Sequence, residues 1–149
     1  MKSPKDKLKR IGPLIKSRKR ELESETSLLN NLKALKIKKI EELRENQRKY
    51  MSGVDQLNQD RSKGKIHSTT ALGQSLDFVK EKWQQNLKQV HEIEKEEKMQ
   101  LSKVLDAQRD LKSMEALEER YIGLIKQEEA VRQQKEQDEL ATRNFKRQD

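Results

Sequence analysis

The sequence has no cysteine and few aromatic residues. Its 149 residues include one Trp, two Tyr and two Phe, and hydrophobic residues of all kinds make up 31%. Without cysteine, a disulfide framework, a thiolate metal site and a cysteine nucleophile are excluded, and a reducing compartment is expected. With so little apolar surface, a conventional globular core is not expected. The classes that remain are rods, bundles of a few helices and disordered chains.

Long apolar runs are also missing. No stretch approaches the roughly 18 residues that a membrane-spanning helix needs. The basic start of the chain is not followed by the apolar segment of a secretory signal peptide. We therefore expect a soluble protein that stays in the cytoplasm.

Proline and glycine are scarce, with two and five residues, and they divide the chain. Between them the sequence is dominated by Glu, Lys, Leu, Gln and Arg, which favour helices. The stretch after Ser52 instead holds Gly, Asp, Asn and Ser, which favour turns. We predict a single coiled-coil domain over residues 1–149, with a basic arm at 1–12, a first helix at 13–52, a loop at 53–68 and a second helix at 69–147.

Apolar residues recur every seven positions in both predicted helices, which is the pattern of a left-handed coiled coil. Lys36 interrupts the first series, and Glu97 and Glu118 interrupt the second. Other apolar residues follow three or four positions after members of each series. The two series are Leu8, Ile15, Leu22, Leu29, Leu43 and Tyr50, and Leu76, Trp83, Val90, Val104, Leu111 and Ile125.

The two apolar stripes are expected to pack against each other, because a loop of about 16 residues easily reverses the chain. The predicted fold is all-α, an antiparallel coiled-coil hairpin of two long helices. The alternative is a parallel dimer of one extended helix, with Gly53 and Gly64 in its middle. At 1.5 Å per residue, the first helix spans about 60 Å and the second about 120 Å. The second helix therefore overhangs, and its apolar residues beyond Glu119 are a surface for a partner or for self-association.

Positive charge is concentrated at the N-terminus. The first 20 residues hold nine Lys or Arg and one acid, a net charge of +8 that equals the formal net charge of the whole chain. Such a cluster can bind phosphates, an acidic membrane surface or an acidic protein surface. The first 49 residues contain no aromatic side chain to stack on bases, so contact with nucleic acid would be non-specific.

The sequence lacks the residue patterns that are typical of catalytic and metal-binding sites. Gly64 lies between two Lys, without the upstream Gly and the following Ser or Thr of a nucleotide-binding loop. His67 and His91 are the only histidines, and Lys95 stands where a zinc-protease helix needs a second His. Paired carboxylates such as Glu128 and Glu129 lie on polar helices, where no pocket is expected. We predict no enzyme activity, no catalytic residues, no cofactor and no metal site.

Three segments carry a family resemblance. Residues 11–18 begin with an apolar residue, any residue, Pro13 and two apolar residues, and basic residues follow. Leu76, Val79, Trp83 and Asn86 mark an apolar helix start. The third segment is charged and covers residues 119–120, 128–132 and 135–143. In this order the segments resemble the FliJ/YscO family, the small coiled-coil export proteins of flagellar and injectisome type III secretion.

The resemblance implies a non-enzymatic stalk and adaptor of type III protein export, most simply flagellar export. Such a protein inserts into the hexameric export ATPase, promotes its assembly and activity, and couples it to the export gate and to export chaperones. It is cytoplasmic and peripherally associated with the export apparatus of the inner membrane. No small-molecule substrate is implied.

The resemblance also implies site residues. The candidates for contact with the export gate are Leu76, Val79 and Trp83, although Trp83 is equally expected as a core residue of the hairpin. The candidates for contact with the ATPase ring are Arg18, Arg20, Arg120, Tyr121, Ile125, Arg132, Asp138, Glu139 and Arg143.

Two other functions fit the residues. One is a basic coiled-coil protein that binds nucleic acid or an acidic surface through residues 1–20. The other is a homodimeric coiled-coil spacer. Because Lys36, Glu97 and Glu118 weaken the expected seam, a partly disordered free chain is also consistent with the sequence.

Overall fold

The computed structural model describes residues 3–148, and the side chains of all of these except residues 66–68 and 148. This part of the chain forms two helices, α1 (Pro4–Ser62) and α2 (Ile66–Gln148). The fold is all-α, and the two helices pack as a hairpin. α2 has 83 residues and α1 has 59, which confirms that the second helix is longer. In the described residues, neither helix has the length of apolar sequence that a membrane crossing requires.

α1 begins earlier than predicted, because residues 4–12 of the expected basic arm are helical. Residues 1 and 2 of that arm lie outside the described residues. Ser3 caps the helix, and its Oγ accepts a hydrogen bond of 3.3 Å from the Asp6 backbone N–H. Pro4 occupies the first helical position, where a missing N–H is tolerated.

Pro13, the predicted start of the first helix, lies inside α1. A proline within a helix costs about 3 kcal/mol, because it removes a backbone hydrogen bond and crowds the preceding turn. Ile11 and Ile15 on either side are 4% and 6% exposed. Burial of each such side chain contributes roughly 1.5–3 kcal/mol, which offsets the cost of the proline.

The predicted loop at 53–68 is wrong for most of its length. α1 continues to Ser62, and α2 begins at Ile66, so the connection is residues 63–65. Gly53, Asn58 and Asp60 are residue types that favour turns, yet the helix continues through them. Its inner face explains this, because Val54 and Leu57 are half-buried and Asp60 is buried. Side-chain burial overrides the local preference for a turn.

Gly64 ends α1. It has a positive φ of 72°, a conformation that glycine adopts without strain. The Lys65 N–H donates to the Asp60 carbonyl at 3.1 Å, and the Gly64 N–H donates to the Arg61 carbonyl at 3.2 Å. This pair of bonds is the Schellman motif, which satisfies the last carbonyls of the helix and turns the chain back.

The apolar seam is confirmed. Every residue of the two seven-residue series, including Lys36, Glu97 and Glu118, is buried or half-buried. A left-handed coiled coil places these positions between its helices.

The contacts divide the chain into two units, and whether they act as the single predicted domain stays a prediction. Unit 1 is Met1–Ser24 with Leu105–Asp149, and unit 2 is Glu25–Val104. In unit 1, Ile11, Ile15 and Leu111 form a buried core. Among the described side chains of unit 2, the buried apolar residues are Leu29, Leu76, Val90, Ile93 and Val104.

Candidate interaction surfaces

The polar residues that interrupt the two apolar series of unit 2 meet each other. Lys36 Nζ lies 3.4 Å from Glu97 Oε2, and the two side chains are 29% and 22% exposed. The Glu97 oxygen is buried and makes no aligned hydrogen bond, so the contact is an ion pair. Lys36 and Glu97, which in the sequence only interrupt the apolar series, therefore form an ion pair across the seam.

Two further polar side chains lie in the seam of unit 2. Gln100 is 7% exposed. Its Nε2 donates to the Glu25 backbone carbonyl at 2.9 Å and also to the Glu25 carboxylate. Asn86 is also 7% exposed, but its Nδ2 has no hydrogen-bond partner among the described residues. Neither role was evident from the sequence, although Asn86 lies three positions after Trp83 and Gln100 lies three positions after Glu97.

The gate candidates Leu76, Val79 and Trp83 lie in the seam of unit 2. Leu76 is 7% exposed, and the other two are half-buried. Trp83 packs against Tyr50, with ring centroids 5.7 Å apart. The three lie on one face of α2, and the contact of Trp83 with Tyr50 reaches α1. Whether they also contact a partner stays a prediction.

Phe78 was not among the gate candidates, but it directly precedes Val79 and is exposed. Phe78 is 58% exposed, and Lys82 Nζ lies 4.5 Å from the centroid of its ring. Such a cation–π contact orients the ring but leaves most of it in solvent. Phe78 lies two positions after Leu76 and so off the seven-residue series, and this periodicity was the one signal in the sequence that it faces away from the seam.

Five of the ring candidates lie in the paired part of unit 1. Arg18 forms an ion pair with Glu21 at 2.9 Å. Tyr121 is half-buried, and Lys7 Nζ lies 5.8 Å from the centroid of its ring. The other three are Ile125, which is half-buried, and Arg20 and Arg120, which are exposed.

The remaining ring candidates lie on a stretch of α2 that nothing in the described chain covers. Every residue from 126 to 147 is exposed. We call this stretch the overhang; it carries Arg132, Asp138, Glu139 and Arg143. It also carries the apolar residues Val131, Leu140 and Phe145, which are 51%, 57% and 69% exposed. Within it, Gln134 Nε2 donates to Asp138 Oδ1 at 3.2 Å.

Side chains suited to metal binding or catalysis do not cluster among the described residues. There is no group of three or more His, Cys, Asp or Glu that could hold a metal ion. Arg48 donates to both Glu45 carboxylate oxygens, at 2.8 and 2.7 Å, and these bonds lower the pKa of that carboxyl. Glu45 is a surface residue, so this pairing belongs to the helix surface and not to a catalytic site.

Comparison with known proteins identifies the family. Among curated proteins and solved structures, none matches this chain. The model of the flagellar FliJ protein family, however, matches residues 6–149. The match covers almost the whole chain, including all three segments on which the resemblance rests, and so confirms it. The chain therefore belongs to the flagellar FliJ protein family, a family of non-catalytic proteins of flagellar protein export.

Proposed function

We propose that this protein is the stalk of the flagellar export ATPase. It inserts into the hexameric ATPase, promotes its assembly and activity, and couples it to the export gate and to export chaperones. Family membership supplies the setting, and the overhang is the observation that carries the proposal. The protein acts in the cytoplasm, at the periphery of the inner-membrane export apparatus.

The overhang has the surface that a ring can enclose. Val131 and Leu140 are nine residues apart, which at 3.6 residues per turn places them on opposite sides of the helix. A helix that docks into a single groove has its apolar residues on one side. Apolar residues on opposite sides instead suit a partner that contacts the helix all round.

The overhang also lacks packing that would stabilise it. Most helical stability in proteins comes from tertiary packing, and the overhang has none within the described chain. Binding inside a ring would supply that packing. Its charges of both signs, Arg132, Arg143, Asp138 and Glu139, then meet polar groups of the ring.

The seam limits how far an export-gate protein can reach the gate candidates. Leu76 is buried and Val79 and Trp83 are half-buried in the seam of unit 2, so a partner contacts all three fully only where the pairing opens locally. Phe78 is exposed beside them and is available without opening. We therefore assign the first contact with the gate to Phe78, with Leu76, Val79 and Trp83 behind it.

Truncation after Lys126 tests the stalk proposal. The variant keeps every half-buried seam residue of α2 and loses only the overhang. We expect it to unfold at the same urea concentration as the full chain but to lose stimulation of the purified export ATPase. As a matched control, Ile37→Gln changes an apolar residue that is 61% exposed outside the overhang, and it leaves stimulation intact. Full stimulation by the truncated protein would contradict the proposal.

A further inference from the structure

Two leucines of unit 1 lie beside the seam and not in it. Leu14 on α1 is 49% exposed and Leu117 on α2 is 38% exposed. With Ile11 and Tyr121 they line a cavity of about 300 Å³ that is open to solvent. We call this cavity, with its rim residues Lys7 and Arg10, the flank groove.

The flank groove is not needed to complete the core. The core of unit 1 already buries Ile11, Ile15 and Leu111, which are 4%, 6% and 9% exposed. Leu14 and Leu117 each directly precede a position of the seven-residue series, Ile15 and Glu118. In an antiparallel pair these preceding positions fall on the same flank of the two helices. Leu124, seven residues after Leu117 and 40% exposed, continues the row.

The charged residues that line the flank groove have one sign. In the described part of the chain they are Lys7 and Arg10. They belong to the first 20 residues, whose net charge is +8. A second copy of this chain would bring an equally basic end to the same place, and like charges oppose that pairing. An acidic occupant is attracted there.

We propose that the flank groove docks an amphipathic helix of a partner protein whose flanks are acidic. The apolar stripe of that helix packs on Leu14 and Leu117, and its carboxylates pair with Lys7 and Arg10. This inference goes beyond the proposed function, because it assigns a partner class to a surface other than the overhang. It holds whether or not the ATPase supplies the helix.

A labelled synthetic helix tests the proposal on the full-length protein. The probe carries Leu at alternating three- and four-residue spacing with Glu on its flanks, and its binding is followed by fluorescence anisotropy. We expect Leu14→Gln and Leu117→Gln each to weaken binding about tenfold, the effect of losing roughly 1.4 kcal/mol of apolar contact. Leu28→Gln is the matched control, since Leu28 is also 49% exposed but lies in unit 2. It leaves binding unchanged.

The charged rim residues of the flank groove provide a second, independent test of the proposal. The double change Lys7→Gln and Arg10→Gln weakens binding and flattens its salt dependence, whereas Lys33→Gln and Lys38→Gln, on exposed residues of unit 2, do neither. A probe with Lys in place of Glu does not bind. Equal binding of the two probes, an equal effect of Leu28→Gln, or no binding of the acidic probe up to its solubility limit would each overturn the proposal.

Cross-linking identifies the source of the helix. A photo-reactive phenylalanine derivative replaces Leu14 in cells, with the same replacement at Leu28 as control. Cross-links from position 14 to an acidic amphipathic helix of another protein support the proposal. Cross-links to lipid or to a second copy of the chain overturn it.

Discussion

Single polar residues in an apolar seam decide which positions of two helices face each other. In unit 2, Lys36 pairs with Glu97, and Gln100 donates to Glu25. A shift of the pairing by one heptad would leave each of these groups against apolar side chains, at a cost of about 1–2 kcal/mol for each half-buried polar group left without its partner. The partly exposed ion pair itself adds little stability, so its main effect is on register.

The ion pair predicts an asymmetry between single and double changes. Glu97→Leu alone leaves the Lys36 ammonium facing the seam, so we expect the free energy of unfolding to fall by about 1–2 kcal/mol. Lys36→Leu together with Glu97→Leu restores an apolar seam and raises it by about 1 kcal/mol above the unmodified chain. Urea unfolding followed by circular dichroism measures both. A double variant that is less stable than the unmodified chain would show that the pair contributes net stability.

Asn86 and Gln100 predict opposite effects of the same substitution. Asn86 has a buried amide N–H without a partner, so Asn86→Leu is expected to raise the free energy of unfolding by about 1–2 kcal/mol. Gln100→Leu removes two hydrogen bonds and leaves Glu25 without this partner, so it is expected to lower it by about 1–3 kcal/mol. Thermal unfolding of the two variants side by side decides this. Shifts of the same sign would contradict the assignment.

At the scale of the helices, the seven-residue repeat was a better guide than individual turn-forming residues. The repeat placed Leu8 through Tyr50 and Leu76 through Ile125 in the seam, and every member is at least half-buried. The loop was misplaced because Gly53, Asn58 and Asp60 favour turns locally, while the burial that overrides them depends on α2. Sequence alone cannot assess that burial, since it arises only when the helices pair.

The same limit applies to the surfaces. The sequence placed Arg132 and Arg143 on an unpaired part of the second helix, where the structure exposes them. It also offered Leu76 and Trp83 for a partner, although both belong to the seven-residue series and so to the seam. The flank groove was missed, because Leu14 and Leu117 become neighbours only through the hairpin.

Substitutions at two glycines within the helices, Gly53 and Gly123, test how closely α1 packs against α2 at Gly53. Alanine is favoured over glycine by about 1 kcal/mol within a helix, so Gly123→Ala, which meets nothing within 4 Å, should raise the free energy of unfolding by that amount. At Gly53 an added methyl carbon would overlap a methyl group of Leu76 and lie 3.2 Å from its Cγ. Gly53→Ala should therefore give no gain or a loss. Chemical denaturation of both variants measures the difference, and an equal gain at both positions would argue against close packing at Gly53.

For the whole molecule, the hairpin removes the main reason to dimerise. The seam of each unit is covered within one chain, and the formal net charge of +8 opposes association. The exposed apolar residues of the overhang do not form one stripe, because Val131 and Leu140 lie on opposite sides of α2. A two-fold dimer uses the same patch of surface on both copies, and the overhang offers no single apolar patch for this.

We therefore expect a monomer at micromolar concentration. Sedimentation equilibrium over a range of loading concentrations measures this, at low and at physiological salt, since screening reduces the repulsion between copies. A single mass of 17.6 kDa at both salt concentrations is the expected result. A dimer that persists after truncation at Lys126 would favour the coiled-coil spacer instead.

The connection of only three residues between α1 and α2 sets the order in which the chain can fold during its synthesis. Residues beside the turn meet their partners almost at once, with little loss of loop entropy. Ile11 instead waits for Leu111, which is made 100 residues later. At 5–20 residues per second, that wait is roughly 5–20 s. Until then Ile11 and Ile15 lack the α2 side chain that buries them, on a segment with a net positive charge. The two helices therefore pair from the turn outward, and the basic end is the last part to pair.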